Sequence, residues 1–117
     1  MIVTFLHTIG DSDPLLFRLT RDGVPAPNLA TATSILITIW KLNKSSQIFV
    51  ADAACVEMTG TYGAGAVKYA WAGVNWVNVP KGLAQAKVVV TFPTEIKTYP
   101  TLNSDSKMVI DFQSSAP

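Results

Sequence analysis

Charged residues are scarce in this sequence: only 15% of its 117 residues are Asp, Glu, Lys or Arg, and the formal net charge is +1. The nine basic residues are spread along the chain, so no basic run is available to hold a nucleic-acid backbone. In soluble proteins about a quarter of all residues are usually charged. The deficit indicates that a partner covers part of the surface, and we expect an assembly component that forms a homo-oligomer.

Cysteine and histidine occur once each. A single cysteine, Cys55, excludes an internal disulfide, and we expect it to be a small buried hydrophobe in a protein made in a reducing cytoplasm. A single histidine, His7, excludes a metal site with several histidines, and we expect it to be structural. Asp11 and Asp13 flank a turn, where solvated aspartates are common, and a calcium site that adds Asp105 has no EF-hand spacing. We therefore predict a non-enzymatic protein with no catalytic residue, cofactor or metal.

Long apolar runs are also missing. None approaches the roughly 18 residues that a membrane span needs, and the first residues, "MIVTFLHTIG", lack the basic start and cleavage site of a signal peptide. We therefore expect no membrane partner and no export. The length is typical of one domain, so residues 1–117 are predicted to form a single unit with a short polar tail from about residue 113.

Alternation of apolar and polar residues is what the sequence has in abundance, and a period of two is typical of half-buried strands. The predicted inward residues are listed here by segment: Leu15, Phe17 and Leu19 in "PLLFRLTR"; Ile35, Ile37 and Ile39 in "SILITIWKL"; Val67, Tyr69 and Trp71 in "AVKYAWA"; Ala84, Ala86, Val88, Val90 and Phe92 in "LAQAKVVVTF"; and Met108, Ile110 and Phe112 in "KMVIDF". Shorter strands are predicted at "IVTFLH", "QIFVA" and "CVEM".

Turn signals separate these segments. They include "RDGVPAPN", the polar connector "LNKSSQ", the glycine-rich "TGTYGAG", "NVPKG" and the polar loop "TYPTLNSDS". The "GTYGAG" segment lacks the Lys-Ser/Thr of a phosphate-binding loop and leads into a strand, so we expect a turn with positive φ. No long helix is predicted. Short strands between Gly and Pro turns indicate an all-β fold, an Ig-like antiparallel β-sandwich of about seven to eight strands.

Tryptophan and tyrosine are concentrated in "VKYAWAGVNWVNVPKG". Alternation places Tyr69 and Trp71 in the core, and the predicted core aromatics are Phe17, Tyr69, Trp71, Phe92 and Phe112. Trp40 lies opposite the isoleucine face of its strand, and Trp76 lies in a segment without alternation. For both tryptophans the core edge, a subunit interface and a ligand contact remain open. The candidate interface residues are Trp40, Trp76, Val77 and Val79.

The order of these segments resembles the Ig-like N-terminal domain of the phage baseplate upper protein family, found in tailed bacteriophages. The resemblance extends over roughly residues 11 to 113 and is carried by "DPLLFRLTRDG", "GVPAPNL", "ATSILITIWK", "GAVKYAW", "KGLAQAKVVVTF", "TYPT" and "KMVIDF". It implies an Ig-like sandwich that serves as a docking or assembly module. The expected location is the virion, after synthesis in the bacterial host cytoplasm, and the expected partners are other virion proteins.

Two functions follow as hypotheses. The first is a structural component of the tail, baseplate or neck that acts through protein–protein contacts. The alternative is a carbohydrate-binding sandwich that contacts a glycan of the host surface through Trp40, Trp76 and Tyr62. Nucleic acid is not an expected partner in either case.

Overall fold

The computed structural model of the chain describes residues 2–21, 24–71, 74–99 and 107–113. Within these ranges the strands are β1 (Ile2–Thr8), β2 (Leu15–Arg18), β3 (Thr20–Arg21), β4 (Val24–Pro25), β5 (Ser34–Lys41), β6 (Lys44–Ala54), β7 (Val56–Glu57), β8 (Ala66–Tyr69), β9 (Gly82–Thr91), β10 (Ile96–Tyr99) and β11 (Lys107–Gln113). Eight of the eleven have four or more residues. The predicted all-β, sandwich-like fold is confirmed.

The larger sheet contains six strands, in the order β1-β11-β9-β5-β6, with β10 also paired to β9. β10 and β11 share one side of β9, because β11 pairs with residues 82–86 and β10 with residues 88–91. All pairs are antiparallel except β1 with β11, which are parallel. A tight hairpin cannot join parallel strands, and here nearly the whole chain connects them.

The smaller sheet has the order β2-β8-β7, and β3 and β4 form a separate hairpin. Both sheets contribute to one hydrophobic core, to which the larger sheet supplies Ile37, Val88 and Ile110 and the smaller one Phe17 and Val67. Every inward residue predicted from the alternation is buried, except Phe92, which is half-buried against the core. Each buried aliphatic side chain of this size contributes about 1.5–3 kcal/mol.

The β5–β6 hairpin differs from the sequence prediction. The expected connector "LNKSSQ" is reduced to a turn at Leu42 and Asn43, where Asn43 has a φ of 63°, and β6 begins at Lys44. β6 is longer than β5, so the register shifts repeatedly. One shift leaves Thr38 opposite two residues, and the Asp52 backbone N–H donates to Thr38 Oγ1 at 3.2 Å. Such bulges bend and twist a strand locally.

The glycine-rich turn contains a helix that no sequence pattern predicted, α1 (Thr59–Tyr62). The predicted positive φ is confirmed at Gly63 and Gly65. Two further single turns are 3-10 helices, at Leu29–Thr31 and Trp76–Asn78. No helix in the described ranges is long and apolar enough to cross a membrane.

Some predictions fall on residues outside the described ranges. They are the loop after Tyr99, which includes Pro100 and Asp105, the turn glycine Gly23 and the tail beyond residue 113. A calcium site that includes Asp105 is therefore not tested, and the absence of a metal stays a prediction. Among the described residues, no group of three or more His, Cys, Asp or Glu side chains is placed to hold a metal ion.

Candidate interaction surfaces

An aromatic cluster closes one end of the core. Trp71 is the centre of the cluster, with ring-centroid distances of 4.9 Å to Tyr69, 5.2 Å to Trp76 and 5.9 Å to Phe112. Trp71 follows β8 with a φ of 61°, so its side chain turns into the core just beyond the strand. Tilted and edge-on ring pairs at such distances add about 0.5–1.5 kcal/mol each beyond burial. Tyr69 and Trp71 thus serve packing.

His7 links this cluster to the first strand. Its ring stacks on Trp76 with an interplanar angle of 11° and lies 4.3 Å from the Trp71 ring centroid. The His7 Nε2–H donates to the backbone carbonyl of Asp11 at 2.9 Å. The imidazole is therefore buried and holds the loop after β1 against the core, as expected of a structural histidine.

The segment from Trp76 to Val79 corrects part of the predicted interface. Asn75 Oδ1 accepts from the Val77 N–H at 3.2 Å and so fixes the start of the 3-10 turn. The turn directs Trp76 onto the core, where it is half-buried, and leaves Val77 91% exposed. Val79 is only 6% exposed and belongs to the core, so its prediction as an interface residue is wrong. Because the segment is a 3-10 turn, strand alternation could not identify this inward position.

Trp40 lies on the outer face of the larger sheet. Its cross-strand neighbours are Ile48 on β6 and Gln85 on β9, and its side chain is half-buried. A tryptophan opposite a β-branched residue is a favourable cross-strand pair. Since Ile48 is exposed, the two form an apolar feature near the β6 edge. Trp40 therefore remains available for contact with a partner.

The predicted glycan platform is not assembled in the described residues. A stacking platform requires rings that share one accessible surface, but none of the ring contacts in the described ranges joins Trp40, Trp76 and Tyr62 to one another. Trp76 instead presents a face to His7. The glycan alternative stays a prediction without support from this geometry.

Exposed aliphatic side chains occur on every edge strand of the two sheets. Leu6 on β1 and Ile48 on β6 lie at the two edges of the larger sheet. Leu16 on β2 and Val56 on β7 lie at the two edges of the smaller one. Leu16 occupies the outward position between two inward residues, so the alternation alone could have identified it. The sequence offered no comparable signal for Ile48, because its strand carries register shifts.

A cleft of about 500 Å³ lies between the edge strands β1 and β2. Its lining includes Leu6 and His7 from β1, Leu16 from β2, and Asp11 and Asp13 from the connecting loop. Asp11 Oδ1 accepts from the Asp13 backbone N–H at 3.0 Å, which fixes the local turn. The predicted turn aspartates therefore border a concave surface, which the sequence did not indicate.

Burial suppresses the ionisation of two side chains in the core region. It raises the pKa of the Cys55 thiol to about 12, against an ordinary value of 9.0, although a backbone hydrogen bond at Ile37 acts in the opposite direction. Burial, with a smaller contribution from Cys55, also raises the pKa of the Tyr69 phenol to about 12. The thiolate is the nucleophilic form of cysteine, so the raised pKa leaves Cys55 almost entirely as the less reactive thiol at neutral pH.

Comparison with known proteins finds no match to the chain among protein-family models, curated proteins or solved structures. The resemblance to the baseplate upper protein family therefore stays a prediction that rests on the order of the sequence segments.

Proposed function

We propose that this chain is a non-enzymatic structural module of a tailed-phage virion, in the tail, baseplate or neck, and acts through protein–protein contacts. The supporting observation is that the edge strands β1, β2, β6 and β7 each carry an exposed aliphatic side chain: Leu6, Leu16, Ile48 and Val56. Natural β-proteins usually protect their edges with charges, and exposed apolar patches mark sites of interaction. The virion assignment is supported by the sequence resemblance.

The side chains that could act as a base or a nucleophile, His7 and Cys55, support a structural role. The His7 imidazole packs against the Trp71 and Trp76 indole rings and donates to a backbone carbonyl. The raised pKa of the Cys55 thiol leaves it protonated at neutral pH. A nucleophile–base pair requires two such groups within hydrogen-bond distance, and His7 and Cys55 instead make their hydrogen bonds to backbone carbonyls.

The virion assignment is tested on gradient-purified particles of the phage that encodes the chain. Quantitative mass spectrometry should find the chain at a fixed copy number relative to the major capsid and tail proteins. A phage-encoded enzyme of DNA metabolism serves as the control and should be depleted in the same particles. Absence of the chain from intact particles would refute the proposal.

Self-association is tested by light scattering after size exclusion over a concentration series. If copies of the chain meet through the β6 edge, Ile48→Lys should lower the native mass to that of a monomer. Val24→Lys is the matched control, because Val24 is also exposed but lies in the separate β3–β4 hairpin. A wild-type chain that is monomeric at every concentration would exclude contacts between copies of the chain through these residues.

A further inference from the structure

The cleft between β1 and β2 exposes the edge of β1, because its lining includes the consecutive residues Phe5, Leu6, His7 and Thr8. Successive side chains of a strand point to opposite faces, so a cleft that touches four in a row runs along the backbone edge. β1 pairs only with β11 among the described residues. On the other side of β1, the Thr8 carbonyl accepts the Asp11 N–H at 3.0 Å, and the remaining outward N–H and C=O groups have no strand partner among the described residues.

β1 is also less protected against strand addition than β2, β6 or β7. Its seven residues, "IVTFLHT", contain no Asp, Glu, Lys, Arg or Pro, and its register with β11 is unbroken. By contrast, β6 has register shifts and carries Lys44 and Asp52. β2 begins directly after Pro14 and carries Arg18, and β7 has only two residues. Charges, prolines and bulges are the usual means by which proteins prevent strand addition, and β1 has none of them.

The negative charge at the cleft indicates which kind of partner it can bind. Asp11 and Asp13 line the end that follows β1, and none of the described residues of the lining is a Lys or Arg. Within the described residues, the ion pair joins Lys97 to Glu95, so neither aspartate has a cationic partner there. The apolar part of the lining comes from Leu6 and Leu16. The complementary partner is an aliphatic strand with a basic end.

We propose that this cleft binds an extended segment of another virion protein, which adds to the larger sheet as a strand beside β1. Aliphatic side chains of the segment pack against Leu6 and Leu16, and a Lys or Arg at its end lies beside Asp11 and Asp13. The inference rests on the proposed function, since it names the chemistry of the partner.

A synthetic peptide of two lysines followed by three threonine–valine pairs is the probe, titrated into the full chain by calorimetry at low ionic strength. Saturable binding is expected. A peptide with glutamates in place of the lysines should bind at least about tenfold more weakly, because it places like charges at the cleft. A third peptide, with N-methyl groups on the edge-facing amides, should not bind, because it cannot form the ladder of hydrogen bonds.

Variants of the chain locate the binding site. Leu6→Lys should abolish binding of the lysine peptide. Ile96→Lys is the matched control and should leave binding unchanged, because Ile96 is comparably exposed, at 67% against 73% for Leu6, but does not line the cleft. The double variant Asp11→Asn and Asp13→Asn keeps an oxygen acceptor for the turn. It should weaken binding about threefold to tenfold, as expected for the loss of exposed ion pairs.

The inference would be overturned by no binding at millimolar peptide, by equal binding of the glutamate peptide or of the N-methylated peptide, or by an equal loss in Ile96→Lys. A wild-type dimer that Leu6→Lys dissociates would identify a second copy as the occupant and would also overturn it. The chain could still be found at a fixed copy number in virions in each case. Failure of this inference is thus distinguishable from failure of the proposed function.

Discussion

Substitution of Gly65 by alanine tests the packing of the small sheet against its neighbouring turn. Gly65 precedes β8 with a φ of +83°, and its carbonyl accepts the Leu19 N–H at 2.8 Å. A Cβ at this position would lie 2.7 Å from the Leu19 carbonyl oxygen and 3.3 Å from Pro25 Cβ. Backbone atoms cannot move aside as a flexible side chain can, so the turn itself must shift.

The expected loss of stability in Gly65→Ala has two parts. A non-glycine residue in the left-handed region costs about 1–2 kcal/mol. Displacement of the Leu19 carbonyl also disturbs the hydrogen bond that it accepts from the Ala26 N–H at 2.8 Å, and such a bond contributes about 0.5–1.5 kcal/mol. We therefore expect the free energy of unfolding to fall by about 1.5–3.5 kcal/mol, out of a total of about 5–15 kcal/mol that is usual for one domain.

Gly10→Ala is the matched control for this substitution. Gly10 has a φ of +88°, but no atom of the described residues lies within 4 Å of the position that an added Cβ would occupy. Only the conformational cost of about 1–2 kcal/mol therefore applies. Urea unfolding followed by tryptophan fluorescence and far-UV circular dichroism measures both variants. Equal losses of free energy in the two would refute the reasoning, because the close approach to Leu19 would then have no energetic effect.

Further predictions concern the core and the β6 bulge. The contribution of Cys55 and Tyr69 to stability should be constant below about pH 9 and fall as the pH rises toward 12, with a slope of up to about 1.4 kcal/mol per pH unit for each group, because the folded state raises the pKa of each to about 12. Urea unfolding between pH 8 and 11 should show a smaller decline in Cys55→Ala, and an unchanged decline would contradict the assignment. Tyr69→Phe should leave stability unchanged or raise it by about 1 kcal/mol, because the buried hydroxyl has no hydrogen-bond partner among the described residues; a clear loss in thermal unfolding would argue against this. Thr38→Val removes the hydroxyl that accepts the Asp52 N–H and should cost about 1 kcal/mol in urea unfolding, whereas a neutral result would mean that the bulge does not depend on it. Trp76→Ala should cost about 2–3 kcal/mol, less than for a fully buried tryptophan, and a loss below about 0.5 kcal/mol would contradict its packing on His7.

The strands and their inward faces were predictable because alternation is a local property. Ile37 and Val88, for example, are each identified by neighbours two residues away, and both are fully buried. The antiparallel class also followed from the frequency of turn signals. The parallel pairing of β1 with β11 did not, because it joins residues at opposite ends of the sequence and no local pattern specifies it.

The surface was less predictable than the core. Val79 lies in the core because a 3-10 turn sets its direction, and the turn depends on the Asn75 side chain rather than on any periodicity. The helix α1 has only four residues, too few for a helical pattern to be recognised. The cleft depends on how the loop with Asp11 and Asp13 crosses from one sheet to the other, which neither flanking strand encodes.

The aromatic-rich segment and the cleft are physically connected through His7. His7 contributes to the cleft lining on one side and packs against Trp71 and Trp76 on the other. Its hydrogen bond to Asp11 also holds the acidic loop in place. A surface that is already rigid before binding loses less conformational entropy when a partner binds to it. The aromatic residues are therefore expected to affect a partner through the rigidity of β1 and its loop, without contacting the partner themselves.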